Sequence, residues 1–268
     1  MQVWPVTPDQ NLLAGIELNI LCVMEARLDE SWQGEGLTLP FNRLYLVEEG
    51  GGLLDTGGGP VEMVPGMAYL VPAGVPLGYR CHGIMKKLYL HFSMLGPDRY
   101  DLMRGFNQIG VIPLPPSLTE DLRRCAGGSG PQDCLRFRLL IYDLLCRFLP
   151  QYDLGGKSLR SYSQHISATI AYIQENLSAD LRVEELARRR FLSRSSLSAM
   201  FRREVGVSIG RYIDDQVMME ALLRVGRSRD SIQDISRELG FSDQCYFARR
   251  FRLVHGVSPT ECRQRNLM

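Results

Sequence analysis

The sequence predicts an α+β protein with two domains, an antiparallel β domain followed by an all-α domain. Residues 18–92 alternate between short strand-like runs and turns rich in glycine and proline, which is typical of a sandwich or barrel. Residues from 163 onward show helical periodicity with capping residues between the runs. Charge changes as well: residues 1–155 contain 12 Lys and Arg against 17 Asp and Glu, whereas residues 156–268 contain 19 against 13. An Arg-rich half in a near-neutral chain favours contact with a polyanion.

These patterns place a first domain at 1–150, a linker at 151–162 and a second domain at 163–268. The linker contains Gly155 and Gly156, which favour a flexible chain. The seven cysteines are scattered, so reduced thiols in the cytoplasm fit better than a zinc site or a disulfide framework. The opening residues lack a secretory signal, and no apolar run reaches about 18 residues, so we expect no membrane span.

The strands of the first domain are predicted from alternation and from the turns between them. Glycine triplets and Pro-Gly or Ala-Gly pairs separate the runs, and such short turns join antiparallel neighbours. The strand-like runs lie at 16–28, 41–50, 61–64, 67–72 and 85–92.

After Pro97 the pattern becomes helical. Runs at 98–109 and 117–126 precede residues 131–150, which form the clearest amphipathic helix of this half. Its apolar stripe consists of Leu135, Leu139, Tyr142, Leu145 and Leu149. The stripe packs either onto the barrel of the same chain or onto a second subunit, and the sequence favours neither.

The second domain contains an internal duplication. FRREVGVS at 201–208 recurs as FRLVHGVS at 251–258, and upstream Ala187 corresponds to Ser236. Each copy consists of a short helix, a turn, a second helix that begins after a capping serine, and a glycine that ends it. That order predicts two helix-turn-helix units, in which the second helix of each enters the major groove of DNA. We expect helix N-caps at Asp180, Ser193, Ser208, Ser231, Ser242 and Ser258.

A long helix is predicted between the two units. Ile213, Val217, Ala221 and Leu222 fall on one apolar face of it. About 17 helical residues rise roughly 25 Å, which suits two recognition helices in successive major-groove turns about 34 Å apart. The alternative is an all-helical domain whose duplicated hairpin binds a protein.

Residues 163–265 resemble the DNA-binding region of the AraC/XylS family of bacterial transcription regulators. The resemblance rests on YIQENLSADLRVEELA, on LSRSSLSAMFRREVGVSIGRYI and, most specifically, on GFSDQCYFARRF followed by GVSP. It implies a sequence-specific regulator that binds double-stranded DNA. Val217 stands where an Arg is usual, Ser236 where an Ala is usual and Cys262 where an aromatic is usual. The change at Val217 removes a polar anchor beneath the first unit.

The resemblance also implies which side chains face DNA. In the first recognition helix they are Arg194, Ser195, Ser198, Ala199 and Arg202, and in the second they are Asp243, Gln244, Cys245, Tyr246 and Arg249. Gln244 can bond an adenine edge, and Arg249 or Arg202 a guanine edge. We expect the first unit, with its short side chains, to rely on phosphate contacts and DNA shape. The expected phosphate clamps are Arg203, Arg250 and Arg252, and the expected core residues are Leu197, Phe201, Phe247 and Phe251.

Residues 15–150 resemble the amino-terminal domain of the same family more loosely, through Pro65-Gly66, VPAGVPLGY at 71–79 and LYLHF at 88–92. This implies a cupin-like barrel followed by dimerisation helices, and hence a homodimer. By resemblance to sugar-sensing members, the barrel senses a small polar molecule, with a carbohydrate as the leading class. The residues expected to line it are Glu49, Tyr79, Lys87, Tyr89 and His91.

Two other functions stay open. In one, a partner protein controls the regulator in place of a small molecule. In the other, the chain is a cupin-type enzyme, but the turn at Val75-Pro76-Leu77 lacks a metal-ligating His. We therefore expect no enzyme, no metal site and no cofactor. RNA polymerase is a further partner if the protein is an activator.

Overall fold

The computed structural model describes residues 16–115, 117–152 and 162–264, which divide into two compact units. The sheet unit consists of Glu17–Met94 and the described residues from Asp101 to Tyr152. The helical unit consists of Leu95–Tyr100 and residues 162–264. The predicted α+β organisation is confirmed, while most of the predicted linker, 153–161, lies outside the described residues.

The strands among the described residues are β1 (Glu17–Leu28), β2 (Gln33–Thr38), β3 (Asn42–Asp55), β4 (Pro60–Met63), β5 (Met67–Val71), β6 (Pro76–Leu95) and β7 (Gly110–Pro113). These seven strands form one sheet in the order β1-β6-β3-β5-β7, with β2 paired to β6 and β4 to β3. The predicted antiparallel pairing is confirmed. Over the described residues the sheet is open and does not close into the expected barrel, because β1 and β7 end the path at opposite edges.

Strands β3 and β6 form the longest pair, and their register brings polar side chains together. Arg43 lies opposite His91, Tyr45 opposite Tyr89 and Val47 opposite Lys87. Because side chains alternate along a strand, these odd-numbered residues share one face. Irregularities between Val47 and Gly51 then interrupt the alternation. Gly50 lies there with a φ of 69°, and a Cβ would approach the Ile84 carbonyl oxygen to 1.8 Å.

The two faces of the sheet pack against different parts of the unit. The odd-numbered face of β3 encloses a core of Tyr45, Val47, Leu54, Met63, Tyr69, Val71, Leu77, Cys81 and Met85. The other face meets helices α1 (Leu118–Gly127) and α2 (Pro131–Phe148). Arg123 of α1 donates hydrogen bonds of 2.7 and 2.6 Å to the carboxylate of Glu48, and Arg138 of α2 donates one of 2.9 Å to the Leu18 carbonyl oxygen. The run at 98–109, expected to be helical, forms turns.

Helix α2 is confirmed, but its buried face differs from the predicted stripe. The buried residues are Phe137, Ile141, Leu144, Leu145 and Phe148. Of the predicted stripe, Leu145 is buried, whereas Leu135 and Leu139 are 64% and 66% exposed. The exposed leucines therefore do not pack onto the sheet of their own chain.

The helical unit contains seven helices over its described residues. They are α3 (Gln164–Glu175), α4 (Val183–Arg189), α5 (Arg194–Val205), α6 (Ile209–Arg227), α7 (Ile232–Glu238), α8 (Gln244–His255) and α9 (Pro259–Gln264). None of the described helices is long and apolar enough to cross a membrane.

Side chains cap most of these helices as predicted. Ser193, Ser208 and Ser231 each accept a hydrogen bond from a backbone N–H of the first turn. Ser258 does so as well, and its own N–H donates to Glu261, which completes a capping box. Two predicted caps are wrong. Asp180 lies too far ahead of α4, which begins at Val183, and α8 follows Asp243 instead of Ser242.

Helix α6 is the predicted connector between the two halves of this unit. Ile213, Val217, Ala221 and Leu222 are all buried, so the predicted apolar face is confirmed. Its 19 residues rise about 28 Å. Val217 is 1% exposed, which shows that an apolar side chain fills the place of the family's usual Arg.

Candidate DNA-binding surface and ligand-binding interior

Each half of the helical unit contains two helices joined by a tight turn. Helices α4 and α5 form the first pair, and α7 and α8 form the second. The second helix of each pair ends at a glycine in the left-handed region, Gly206 or Gly256, whose N–H bonds the carbonyl of Arg202 or Arg252. The two predicted helix-turn-helix units are therefore present.

The inner faces of these pairs are built as predicted. Leu197, Phe201, Phe247 and Phe251 are fully buried, which leaves the opposite faces of α5 and α8 outside the core. Ala187 and Ser236, at equivalent positions of α4 and α7, are 2% and 1% exposed. The Ser236 hydroxyl has no hydrogen-bond partner among the described residues, so it contributes only its small size there.

On the first recognition helix, two of the predicted arginines are paired with acidic neighbours. Arg194 forms an ion pair of 2.7 Å with Glu184, and Arg203 one of 3.2 Å with Glu204. Arg194, Glu184 and Arg203 are each more than half exposed, and only Glu204 is less so. Ion pairs of exposed side chains are weak, so both arginines can exchange these pairs for phosphate contacts.

The remaining predicted side chains of α5 differ in reach. Ser195 is exposed and its hydroxyl lies 3.0 Å from that of Ser193, whereas Ser198 is half-buried. Arg202 is exposed, and its guanidinium forms no hydrogen bond or ion pair with another described residue. Ala199 is also exposed. Arg202 is thus the long, unpaired side chain of this surface.

On the second recognition helix, Asp243 acts as the N-cap. Its carboxylate accepts hydrogen bonds of 3.0 and 2.9 Å from the N–H groups of Cys245 and Tyr246. Gln244, Arg249 and Arg252 are exposed, and their side chains form no hydrogen bond or ion pair within the described part of the chain. Cys245 is exposed, and Tyr246 is 53% exposed.

Arg250, an expected phosphate clamp, is engaged inside the protein. Its guanidinium makes a two-pronged contact with Asp214 of α6, with Nε 3.0 Å from Oδ1. The Asp214 carboxylate raises the pKa of Arg250 above its ordinary value. Because the guanidinium is already bound by a carboxylate, the structure does not bring Arg250 to the exposed face of α8.

The turns of the two units differ at one position. Phe191 has a φ of 56° and is 99% exposed, and the equivalent residue in the longer second turn is Gly240, with a φ of 81°. The first unit therefore places a bulky side chain where the second uses a glycine.

The interior of the sheet unit contains a buried ammonium group. Lys87 is 3% exposed, and its Nζ lies 3.8 Å from the ring centroid of Trp32 and 3.6 Å from that of Tyr45. Ring faces at these distances attract a cation. Burial, and then the nearby charge of Arg43, lower the pKa of Lys87 well below its ordinary value.

Arg43 and His91 lie beside Lys87 in the same interior. Arg43 is 1% exposed; its Nη2 donates a 3.4 Å hydrogen bond to the Val75 carbonyl, and its Nε and Nη1 have no partner among the described residues. His91 stacks on Phe41 with 4.8 Å between ring centroids. Burial, and then the charges of Arg43 and Lys87, lower the pKa of His91 to about 3, so this imidazole is neutral.

The other residues predicted to line the interior are distributed unevenly. The ring of Tyr79 lies against that of Trp32, tilted by 39° with 4.6 Å between centroids, and the ring of Tyr89 lies 5.3 Å from that of His91. Glu49 is apart from them: its side chain is 69% exposed and lies 4.0 Å from Lys86. The irregular register between Val47 and Gly51 turns Glu49 away from the interior.

Sequence reasoning missed Arg43 and Trp32. Alternation in FNRLYLVEE would have indicated Arg43, because it places this residue on the same side as Tyr45 and Val47. Trp32 belongs to a turn, and no periodicity marks its contact with Lys87.

An open groove lies at the far end of the same pair of strands. Its volume is about 870 Å³, and its lining includes Gln33, Asp55, Tyr79 and Arg80. Tyr79 thus belongs both to this groove and, through its ring contact with Trp32, to the wall around Lys87.

Comparisons with known proteins agree with this architecture. A family profile described as a helix-turn-helix domain matches residues 186–265. The arabinose operon regulatory protein of Escherichia coli is 36% identical over 93 residues, covering 34% of this chain and 32% of that protein. The HTH-type transcriptional activator RhaS of Escherichia coli is 23% identical over 248 residues, covering 84% and 85%.

Solved structures of one protein, ToxT, match nearly the whole chain. ToxT from Vibrio cholerae, described with a bound unsaturated fatty acid, is 11% identical, with a TM-score of 0.55 over 92% of this chain and 94% of that one. At this identity the likeness concerns the fold. The first relatives, at 32–36% identity, are matched over less than half of their own length. Residues 186–265 therefore belong to a family of helix-turn-helix domains, and the relatives that this chain matches are named as an operon regulatory protein and a transcriptional activator.

Proposed function

We propose that this chain is a sequence-specific DNA-binding transcription regulator, in which α5 and α8 enter the major groove and the sheet unit binds a small polar effector. The observation that carries the first part is the set of exposed, unpaired Arg202, Gln244, Arg249 and Arg252 on equivalent helices. Long polar side chains on such faces can reach base edges and phosphates. The relatives named above, which are regulators and not enzymes, support the same function.

The two recognition helices have different roles in this proposal. Gln244 bonds an adenine edge and Arg249 a guanine edge, so α8 reads sequence. Helix α5 presents Ser195 and Ser198, which have little reach, and it relies on phosphate contacts through Arg202 and on DNA shape. Arg250 holds α8 against α6 through Asp214, so Arg252 takes the phosphate-clamping role in the second unit.

The test selects random duplex DNA with the full-length protein at near-physiological salt. We expect an enriched site with two blocks about one helical turn apart. Gln244→Ala should relax the preference at one base pair and weaken binding to the selected site by about 1–3 kcal/mol. Ser198→Ala is the matched control on α5 and should leave the preference unchanged. Equal loss of preference in both variants, or enrichment of no site, would contradict the proposal.

The effector proposal concerns the interior around Lys87, Tyr79, Tyr89 and His91. Aromatic faces combined with a few buried hydrogen-bonding groups suit a small polar molecule. A relative matched over 82% of this chain, the raffinose operon transcriptional regulatory protein RafR of Pediococcus pentosaceus, supports a sugar or a sugar derivative as the class of effector.

A homodimer completes the proposal. Leu135, Leu139, Tyr142 and Cys146 form a stripe along the outer face of α2, where both leucines are about two-thirds exposed. Apolar side chains at such spacing stabilise helix pairing between subunits. We place the protein in the cytoplasm, with RNA polymerase as a further partner if it activates transcription, as the name of RhaS supports.

A further inference from the structure

The interior of the sheet unit carries positive charge without a counterion. Arg43 and Lys87 are 1% and 3% exposed, and neither has a carboxylate within ion-pair distance among the described residues. A buried charge is strongly disfavoured unless an opposite charge or a full set of hydrogen bonds compensates it. The two buried cationic side chains therefore lack a compensating anion.

The acidic side chains close to these strands are occupied elsewhere. Glu48 lies on the other face of β3, where Arg123 binds it. Glu49 is exposed beside Lys86, and the Asp101 carboxylate accepts hydrogen bonds from Asn42 and from the N–H of Met94. The missing anion therefore has to come from outside these strands.

The free edge of Arg43 indicates which anion fits. Nε and Nη1 are left without partners, and Nη2 uses only one of its two N–H groups on the Val75 carbonyl, so one edge of the guanidinium that includes Nη2 still presents two parallel N–H groups. A guanidinium presents paired N–H groups with the spacing of the two oxygens of a carboxylate. The Lys87 ammonium, held between the rings of Trp32 and Tyr45, supplies a second, less directional charge.

From this geometry we propose that the effector is a small carboxylic acid whose carboxylate binds Arg43 and Lys87. The inference rests on the proposed effector-binding function and names its chemical class. The aromatic rings of Trp32 and Tyr79, in tilted contact with 4.6 Å between their centroids, offer a wall for the body of the ligand. A sugar acid satisfies both this inference and the sugar-derived class supported above.

The test compares acids with their neutral counterparts on the full-length protein, by thermal unfolding and calorimetric titration at constant ionic strength. The pairs are glucuronate and glucose, benzoate and benzamide, and acetate and acetamide. We expect at least one acid to stabilise the protein saturably, with its neutral counterpart at least tenfold weaker. A neutral compound that binds as tightly as its acid, or the absence of acid-specific stabilisation across all pairs, overturns the inference.

Three variants separate the site from general effects of salt. Lys87→Met keeps the side-chain length but removes the buried ammonium, so it should raise the melting temperature of the free protein and weaken the acid more than tenfold. Arg43→Lys keeps the charge but loses the paired N–H groups, and should also weaken the acid more than tenfold. Lys86→Met, next to Lys87 but 39% exposed, should leave acid binding unchanged. An acid response that survives Lys87→Met overturns the inference.

DNA selection on the same preparations separates this inference from the proposed function. If the protein selects DNA but binds a neutral sugar, the proposed regulatory function is supported and the inference of an acidic effector is wrong. If an acid binds in a manner that depends on Lys87 but no DNA is selected, the inference of an acidic ligand is supported and the proposed regulatory function is wrong.

Discussion

At the scale of single residues, the turn of the first helix-turn-helix unit contains an unusual backbone conformation. Phe191 has a φ of 56°, a region in which a side chain costs about 1–2 kcal/mol. Because its side chain is 99% exposed, no burial offsets that cost. Gly240, at the equivalent place in the second unit, has no such cost.

We predict that Phe191→Gly stabilises the helical unit by about 1 kcal/mol, since relief of the backbone conformation exceeds the added freedom of glycine in the unfolded chain. Urea unfolding of the full-length protein measures the change. The opposite substitution, Gly240→Ala, should destabilise it, because a Cβ there would lie 2.0 Å from the Ser178 hydroxyl oxygen at a φ of 81°. A destabilising Phe191→Gly would mean that the aromatic ring makes a contact that compensates its backbone.

The candidate residues show where sequence reasoning succeeds and where it stops. Alternation along β6 placed Lys87 and His91 on one face, and both are buried in the interior. The same rule applied to β3 predicts Glu49 on that face as well, but the irregular register after Val47 turns it outward. Such an irregularity depends on the partner strand, so one strand's own sequence does not reveal it.

At the scale of secondary-structure elements, Asp243 has two candidate roles. The family resemblance implies that it faces DNA, whereas its carboxylate accepts two hydrogen bonds from the first turn of α8. We predict that Asp243→Ala destabilises the protein by about 0.5–2 kcal/mol through loss of the cap. Asp243→Ser should restore most of the stability, because serine is also a good N-cap.

DNA selection distinguishes the two roles of Asp243. If it acts only as a cap, Asp243→Ser should select the same site as the unchanged protein. A shifted base preference in the serine variant would show that the carboxylate itself contacts a base.

Helix α8 also contains a buried histidine that gives the fold a pH dependence. His255 is 1% exposed, and its Nε2 lies 3.1 Å from the Met218 carbonyl oxygen of α6. Burial lowers its pKa from 6.5 to about 4. The unfolded chain therefore binds a proton between these values while the folded chain does not, so stability falls as pH falls through this window.

We predict a loss on the order of 3 kcal/mol between pH 6.5 and pH 4 from this one group. The measurement compares unfolding free energies across that range for the unchanged protein and for His255→Gln, which should be less stable at neutral pH but flatter in its response. His165→Gln, at an exposed histidine of α3, should keep the original slope. An unchanged slope in His255→Gln would contradict the assignment.

The elements themselves were predictable to different degrees. The helices of the second domain follow from local periodicity and local caps, and both signals lie within each segment. Closure of the sheet into a barrel does not follow from local signals, because it depends on whether β1 and β7 meet after more than eighty residues of intervening chain. The second turn is one residue longer than the first, so the N-cap of α8 is Asp243 and not Ser242, the residue that corresponds to Ser193 in the repeat.

At the scale of the whole molecule, the exposed face of α2 decides how many recognition helices act together. Leu135 and Leu139 are more exposed than is usual for leucines on an amphipathic helix, and Cys146 continues the stripe. A second copy covering this stripe would bring four recognition helices to one DNA site. Affinity for a long site would then depend on both subunits, because linked binding raises the effective concentration of the second.

We predict that the protein is a dimer at micromolar concentration and that Leu139→Glu makes it monomeric, because a carboxylate at the centre of the stripe would be buried without a partner. Sedimentation velocity measures the state, with Leu139→Met as the control that keeps an apolar side chain. Since Leu139 does not contribute to the sheet core, the variant should keep its melting temperature, apart from any loss that follows from dissociation. It should also bind a single half-site as before, while its affinity for the full selected site falls. A Leu139→Glu protein that remains dimeric would place the subunit contact elsewhere and leave the exposed leucines of α2 for a different partner.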